Sequence, residues 1–160
     1  MTATTANARS WTDHWSFNGV PINKIKENPA ELIKGIAIGV IGHTVGHYVV
    51  GAFVGVNMHQ NGSNIFEEIW SKTPSNYDEA MIGRAGFINQ LLVRAIAKRS
   101  GASDSFILGI DIMNHTEITS YKAIFGNSGD VWNINRSGNV DTELLIYSKI
   151  AEFNLISHQK

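Results

Sequence analysis

His43 and His47 stand one helical turn apart in Gly42-His43-Thr44-Val45-Gly46-His47. On a helix that spacing puts both imidazoles on one face, close enough to share a metal ion, and it suits zinc. Zinc makes a bound water nucleophilic near neutral pH, but peptide hydrolysis also needs a group that takes up the proton and returns it to the leaving amine. Thr44, directly after the first histidine, cannot do this. Such chemistry would need a base from elsewhere, and Glu117 is the candidate. The competing reading is a pair of histidines that only hydrogen-bond to neighbouring elements. Burying two imidazoles on a glycine-lined face without a partner is costly, which favours a bound metal.

A second constellation lies in FILGIDIMNHTEITSYKAIF, where Asp111 and His115 repeat the four-residue spacing and Asn114 and Glu117 accompany them. If that helix lies against the first, His43, His47, Asp111 and His115 offer nitrogen and oxygen ligands of the kind zinc, iron or manganese accepts. The alternative is a polar face turned to water and continued by Thr119, Ser120 and Lys122. With no cysteine in the chain, disulfides, thiolate nucleophiles and Cys-ligated metals are excluded, so any metal must be held by His, Asp or Glu. Thirteen basic against fourteen acidic residues leave a formal net charge of −1, which recruits no polyanion. Nucleic acid is therefore not an expected partner.

The elements that must position these residues are helical. At 160 residues and 43% hydrophobic, the chain suits one domain with a real core. Residues 1–27 read as a flexible or docking arm that could attach through Trp11, Trp15 and Phe17, and residues 28–160 as a single helical domain. Asn28-Pro29-Ala30-Glu31 predicts a helix start, with Asn as cap, Pro in the first turn and Glu completing a capping box. The run that follows, from Gly35 to Met58, is apolar apart from its histidines and suits a bilayer span of roughly 20 residues. Gly35, Gly39, Gly42 and Gly46 each cost roughly 1 kcal/mol in a water-exposed helix, so something must pack tightly on them, as on the small-residue faces of membrane bundles.

Further along, Ile65, Phe66, Ile69 and Trp70 fall at helical spacing and predict a short amphipathic connecting piece. Asn76, with Glu79 three residues on, predicts the cap of a second helix, which stops before Gly101. It carries Arg84, Asn89, Gln90 and Arg94, and Arg84 could neutralise a carboxylate such as Asp111. Lys98 and Arg99 at its end suit the helix dipole and, beside a bilayer, the cytoplasmic surface. Ser103 caps a third helix that closes at Gly126, and a fourth runs from Val140 to Ser157. The expected fold class is all-α, with about four main helices around the central Gly-rich apolar helix. The expected location is in or on a membrane.

GVIGHTVGHYVVGAFVG followed by GRAGFINQLLV resembles the core of membrane-embedded zinc metallopeptidases of the site-2 type, in which a histidine pair in an apolar helix is followed by a glycine-bearing helix packed beside it. The resemblance spans about residues 35 to 130. It implies zinc as cofactor and a later aspartate as third ligand, for which Asp111 and Asp130 are both available. HTVGH departs from the family's H-E-x-x-H at Thr44, so the resemblance implies a metal-binding protein of metallopeptidase type with weak or lost peptidase activity. Two alternatives remain. One is a noncatalytic membrane-associated subunit that docks on a partner helix through its glycines. The other, suggested by G-H-x-x-G-H, is a histidine-box oxidase or hydroxylase, which would need about eight histidines or equivalent ligands. This chain has six histidines in all.

Overall fold

The computed structural model describes residues 16–17, 20–62, 64–125, 130, 134 and 140–159. Among them lie five helices: α1 (Ile22–Glu27), α2 (Pro29–Phe53), α3 (Asn76–Arg99), α4 (Asp104–Phe125) and α5 (Val140–Ile156), the last continued by a 3-10 turn, Ser157–Gln159. The fold is all-α. Two small antiparallel pairs supplement it, β1 (Ser16–Phe17) with β2 (Val20–Pro21) and β3 (Met58–Asn61) with β4 (Asn64–Trp70).

Local chemistry sets the helix starts. Asn28 caps α2 by accepting the Glu31 N–H at 3.2 Å, and Pro29 fills the first turn. Ser103 accepts the Phe106 N–H at 3.3 Å at the start of α4. The cap of α3 is Ser75, which accepts the Asp78 N–H at 3.2 Å, one residue earlier than the predicted Asn76. The predicted amphipathic piece at Ile65–Trp70 is corrected to a strand. Asn61-Gly62 marks a turn, the isoleucines and aromatics after it favour extended backbone, and β3 supplies a partner that pairs Met58 with Trp70 and His59 with Ile69. Apolar spacing over so short a stretch did not separate helix from strand.

α2 is the hub of the bundle, packed along both α3 and α4. Its glycines decide how close the neighbours come. Gly46 lies against the Ala85 carbonyl and Gly42 against Val93, so α3 runs antiparallel to α2. Gly35 lies against Phe106 and Gly109, and Gly39 against Met113, so α4 runs parallel to it. A Cβ on Gly35 would drive into the Phe106 carbonyl and stop 3.1 Å from the Gly109 Cα. The glycine face is thus filled from within the chain.

The apolar core has two parts. Val20, Leu32, Leu108 and Leu155 form one, with Ile25, Ile36 and Ile112 packed on it, and Phe87 with Ile134 forms the other, beside Ile118 and Tyr147. Fully burying Val20 contributes about 1.5–3 kcal/mol. The packed structure therefore begins inside the segment read as an arm, while Trp11 and Trp15 lie outside the described residues.

The outside of the bundle is strongly apolar. On α2, Ile33, Ile41, Val45, Val49 and Phe53 are exposed in one row, Phe53 to 86%. Ile88, Leu92 and Ile96 are likewise exposed on α3, and Leu145, Ile146, Ile150, Phe153 and Ile156 on α5. Polar groups meanwhile occupy the interior: Gln90, Asp111 and Asn114 are 0–1% exposed.

Candidate metal centre

His43 and His47 lie on the face of α2 that turns toward α3, and both are 5% exposed. Their rings meet edge to face with centroids 4.4 Å apart. Space for them comes from Gly86 on α3, where a Cβ would lie 2.5 and 2.6 Å from His43 Cε1 and Nε2 and closer still to His47 Nε2. One turn away, Gly83 makes room for Asp130: a Cβ there would lie 3.2–3.3 Å from the Asp130 backbone and Cβ. Phe87 closes the side, 5.1 Å from His43 between centroids. Helix α3 thus contributes absence of side chain at the two positions where the cluster needs volume.

Asp130 Oδ2 lies 2.7 Å from His43 Nε2 and 3.2 Å from His47 Nε2. These three buried residues converge their ligand atoms within 4.8 Å and form a group that could hold a metal ion. Around a tetrahedral ion with bonds of about 2.0–2.1 Å, donor atoms sit about 3.3–3.4 Å apart. The His47–Asp130 edge already has that length, and the His43–Asp130 edge is shorter by about half an ångström, a distance that one carboxylate rotation covers. Burial on its own would raise the Asp130 carboxyl, but the imidazoles of His47 and His43 outweigh it and hold the group well below the usual carboxylate range.

Behind His43 stands a second carboxylate. Glu117 Oε2 lies 3.4 Å from His43 Nδ1 and accepts a hydrogen bond from the Gln90 side-chain amide, which also donates to the Gly39 carbonyl at 3.3 Å. Asn89 likewise donates to the Gly42 carbonyl. Glu117 is therefore on the Nδ1 side of the ring, opposite the Nε2 side on which Asp130 and His47 converge. It is placed to orient His43, and it is near enough to Asp130 and His47 to interact with both electrostatically.

The other proposed ligands lie elsewhere. Asp111, fully buried, pairs with Arg94 Nε at 2.6 Å and His158 Nε2 at 2.9 Å. His115 Nδ1 is buried without a hydrogen-bond partner and is not part of the cluster. Helix α4 does face α2, as predicted, but the residue it brings to His43 is Glu117; the position of Asp111 is one and a half turns nearer the start of α4, beyond reach of the pair. The polar face of α4 also turns inward at Asp111 and Asn114, where the bland reading put it in water. Arg94, and not Arg84, neutralises Asp111. Sequence reasoning noted Gln90 and the glycines of α3 but assigned no part in the site to Gln90, Gly83 or Gly86. The signal was the G-R-A-G spacing in α3, small residues three apart that make a hollow for whatever packs opposite.

Compared with protein-family models, with curated proteins and with solved structures, the chain finds no match in any of the three.

Proposed function

We propose that the chain is a membrane-embedded metal-binding protein of the metallopeptidase type, holding zinc with His43, His47 and Asp130, and with peptidase activity weak or lost. The observation that carries this reading is the pair of carboxylates on opposite nitrogens of one buried imidazole. Neutral His43 has a single N–H and could donate to only one of Asp130 and Glu117, so without an ion the site would have to bury an imidazolium to satisfy both carboxylates. A cation on the Nε2 side would remove that need: Nε2 and Asp130 would hold it, and Nδ1–H would be left to donate to Glu117, the arrangement in which an outer carboxylate fixes the tautomer of a ligating histidine. Two nitrogens and one oxygen with a position left open is a donor set that zinc accepts. Bound zinc would supply Lewis acidity.

The residues around the site argue for binding over rapid turnover. Thr44 occupies the position of a proton acceptor, and Glu117 lies against His43 Nδ1 with its other contact on Gln90. Metal analysis tests the binding: detergent-purified protein should carry about one zinc per chain, lost in Asp130→Ala and in a His43→Ala, His47→Ala double variant. Wild-type protein that stays metal-free after incubation with zinc would defeat it. Restoring an acceptor with Thr44→Glu should raise hydrolysis of an unfolded membrane substrate above a native level near background. Robust native proteolysis that Glu117→Gln leaves untouched would show that the base lies elsewhere.

Membrane embedding is supported by the exterior. α2 is long and apolar enough to cross a bilayer, and its apolar window is only 33% buried in the bundle, whereas the core helix of a water-soluble domain is mostly covered. The exposed row from Ile33 to Phe53 extends about 30 Å at 1.5 Å per residue, the thickness of a hydrocarbon core. Lys98 and Arg99 end α3 beside the start of α2, which makes that end the cytoplasmic one by charge. The protein should sediment with membranes and resist carbonate extraction; release by carbonate would remove this part of the proposal. A noncatalytic subunit remains the second reading, and it would dock through the apolar row, since the glycines are already covered.

A further inference from the structure

At the opposite end of the bundle from β3 and β4, a cavity of about 320 Å³ opens between α1, the end of α3, the start of α4 and the 3-10 turn after α5. We propose that this cavity is a second site, separate from the metal centre, that takes a singly charged phosphodiester group. Its polar lining carries the cations Lys24, Arg94 and Lys98 and the carboxylates Glu27 and Asp104, with Ser105, Ser157 and His158 beside them. Beneath it, Asp111 is fully buried with one oxygen on Arg94 and the other on His158. That ion pair fixes Arg94 at the wall and uses only one of its five N–H donors.

Ser105 is the observation that points to a ligand. It is 7% exposed and lines the cavity, yet its hydroxyl has no hydrogen-bond partner among the described residues. It sits in the first turn of α4, where backbone N–H groups have no intrahelical acceptor and the helix dipole is positive. Ser103 takes the Phe106 N–H, leaving the amides of Asp104 and Ser105 for an anion. Lys98 also lacks an ion-pair partner among the described residues.

Charge sets the class of ligand. Lys24 is paired with Glu27 at 3.3 Å and Arg94 with Asp111, so the cation left over is Lys98, assisted by a helix terminus equivalent to roughly half a charge. Asp104, exposed at the rim, opposes them. The surplus left is about half a positive charge, which suits one negative charge better than two and favours a phosphodiester over inorganic phosphate. Ala102, Ile107 and Leu108 complete the wall and suit the ester carbons. Such a group could come from a phospholipid headgroup or from a soluble phosphate ester, the former resting on the proposal that this end of the bundle meets a cytoplasmic membrane surface.

The test uses the full chain purified in detergent, titrated with glycerophosphoglycerol and with inorganic phosphate, and reconstituted into vesicles of phosphatidylcholine with or without phosphatidylglycerol. Saturable binding of a phosphodiester, weakened at least tenfold by Lys98→Ala, several-fold by Ser105→Ala and strengthened by Asp104→Asn, upholds the site. Saturation by glycerophosphoglycerol without lipid identifies a soluble ester as the source, and saturation only in phosphatidylglycerol vesicles identifies a headgroup. No saturable binding of either, tighter binding of inorganic phosphate than of the diester, or binding untouched by both Lys98→Ala and Ser105→Ala overturns it. Lys98 is exposed and Ser105→Ala is nearly isosteric, so both variants should fold. Their metal content should equal that of the native chain, which keeps this result independent of the metal centre.

Discussion

Gly86→Ala would empty the proposed metal centre without touching a ligand. The added methyl would lie 2.5 and 2.6 Å from His43 Cε1 and Nε2 and nearer still to His47 Nε2. Ordinary contact between such atoms is about 3.5 Å, so both imidazoles must retreat by about 1 Å. Metal–ligand distances tolerate about 0.2 Å, and no rotation of Asp130 makes up the difference. The stability effect is far smaller. Overpacking costs about 1–3 kcal/mol, offset by about 1 kcal/mol from replacing glycine with alanine inside a helix. The expected result is a protein with near-native unfolding that retains less than a tenth of the native metal, as read by elemental analysis after dialysis and by thermal unfolding with and without added zinc. A native complement of tightly held metal in Gly86→Ala would refute the geometry, because three ligands cannot close on an ion through that methyl.

Three other outcomes follow from the same contacts. Glu117→Gln should weaken metal binding about 10–100-fold while leaving the fold intact, measured by competition with a chelator; an unchanged Kd would show that Glu117 does not orient His43. Arg94→Met should strand the fully buried Asp111 with His158 alone and destabilise the protein by about 3–5 kcal/mol in denaturant unfolding, with metal content unaffected. Because the folded Asp130 carboxyl lies below its ordinary value, the unfolded chain binds that proton first as pH falls. Its contribution to the stability of metal-free protein is thus complete above about pH 4 and lost on acidification through the folded value. Asp130→Asn should accordingly be less stable than the native chain at about pH 6, and the gap should narrow on acidification below about pH 4.

The long helices α2, α3 and α4 were legible in the sequence because each carries its own start signal, whereas α1 lies in the segment read as an arm. Asn28 and Ser103 act as caps where the motifs place them, and the glycine spacing from Gly35 to Gly46 anticipates close approach by neighbours. The histidine pair was legible for the same reason: its geometry is set within one helix turn. What joins the pair was not, since Asp111 and Asp130 are equal candidates until the packing of α4 is known. The choice fell to tertiary structure, where Arg94 and His158 claim Asp111 and Gly83 makes room for Asp130. The role of Glu117 turned on which side of one imidazole it reaches, a matter of rotamer and helix rotation that residue spacing does not encode. The β3–β4 pair was missed because its apolar residues fit a helical period as well as an extended one.

The contact between His43 and Asp130 joins residues 87 positions apart. Closing a loop of that length costs about 4 kcal/mol in chain entropy, whereas His43 and His47 are brought together by a single helix at no such cost. The two ligand pairs therefore belong to different moments in the life of the chain. The imidazoles are in place as soon as α2 winds, and the packing of α2 with α3 and α4 rests on backbone contact and apolar burial that need no ion. Once α4 has packed on α2, most of that long loop is already closed and only the few residues between Phe125 and Asp130 are left, so an ion held by all three residues would strengthen that last contact. Assembly would then have a built-in order, with the helical scaffold first and the fastening of residue 130 last, and an ion bound there would mark the chains that have completed it.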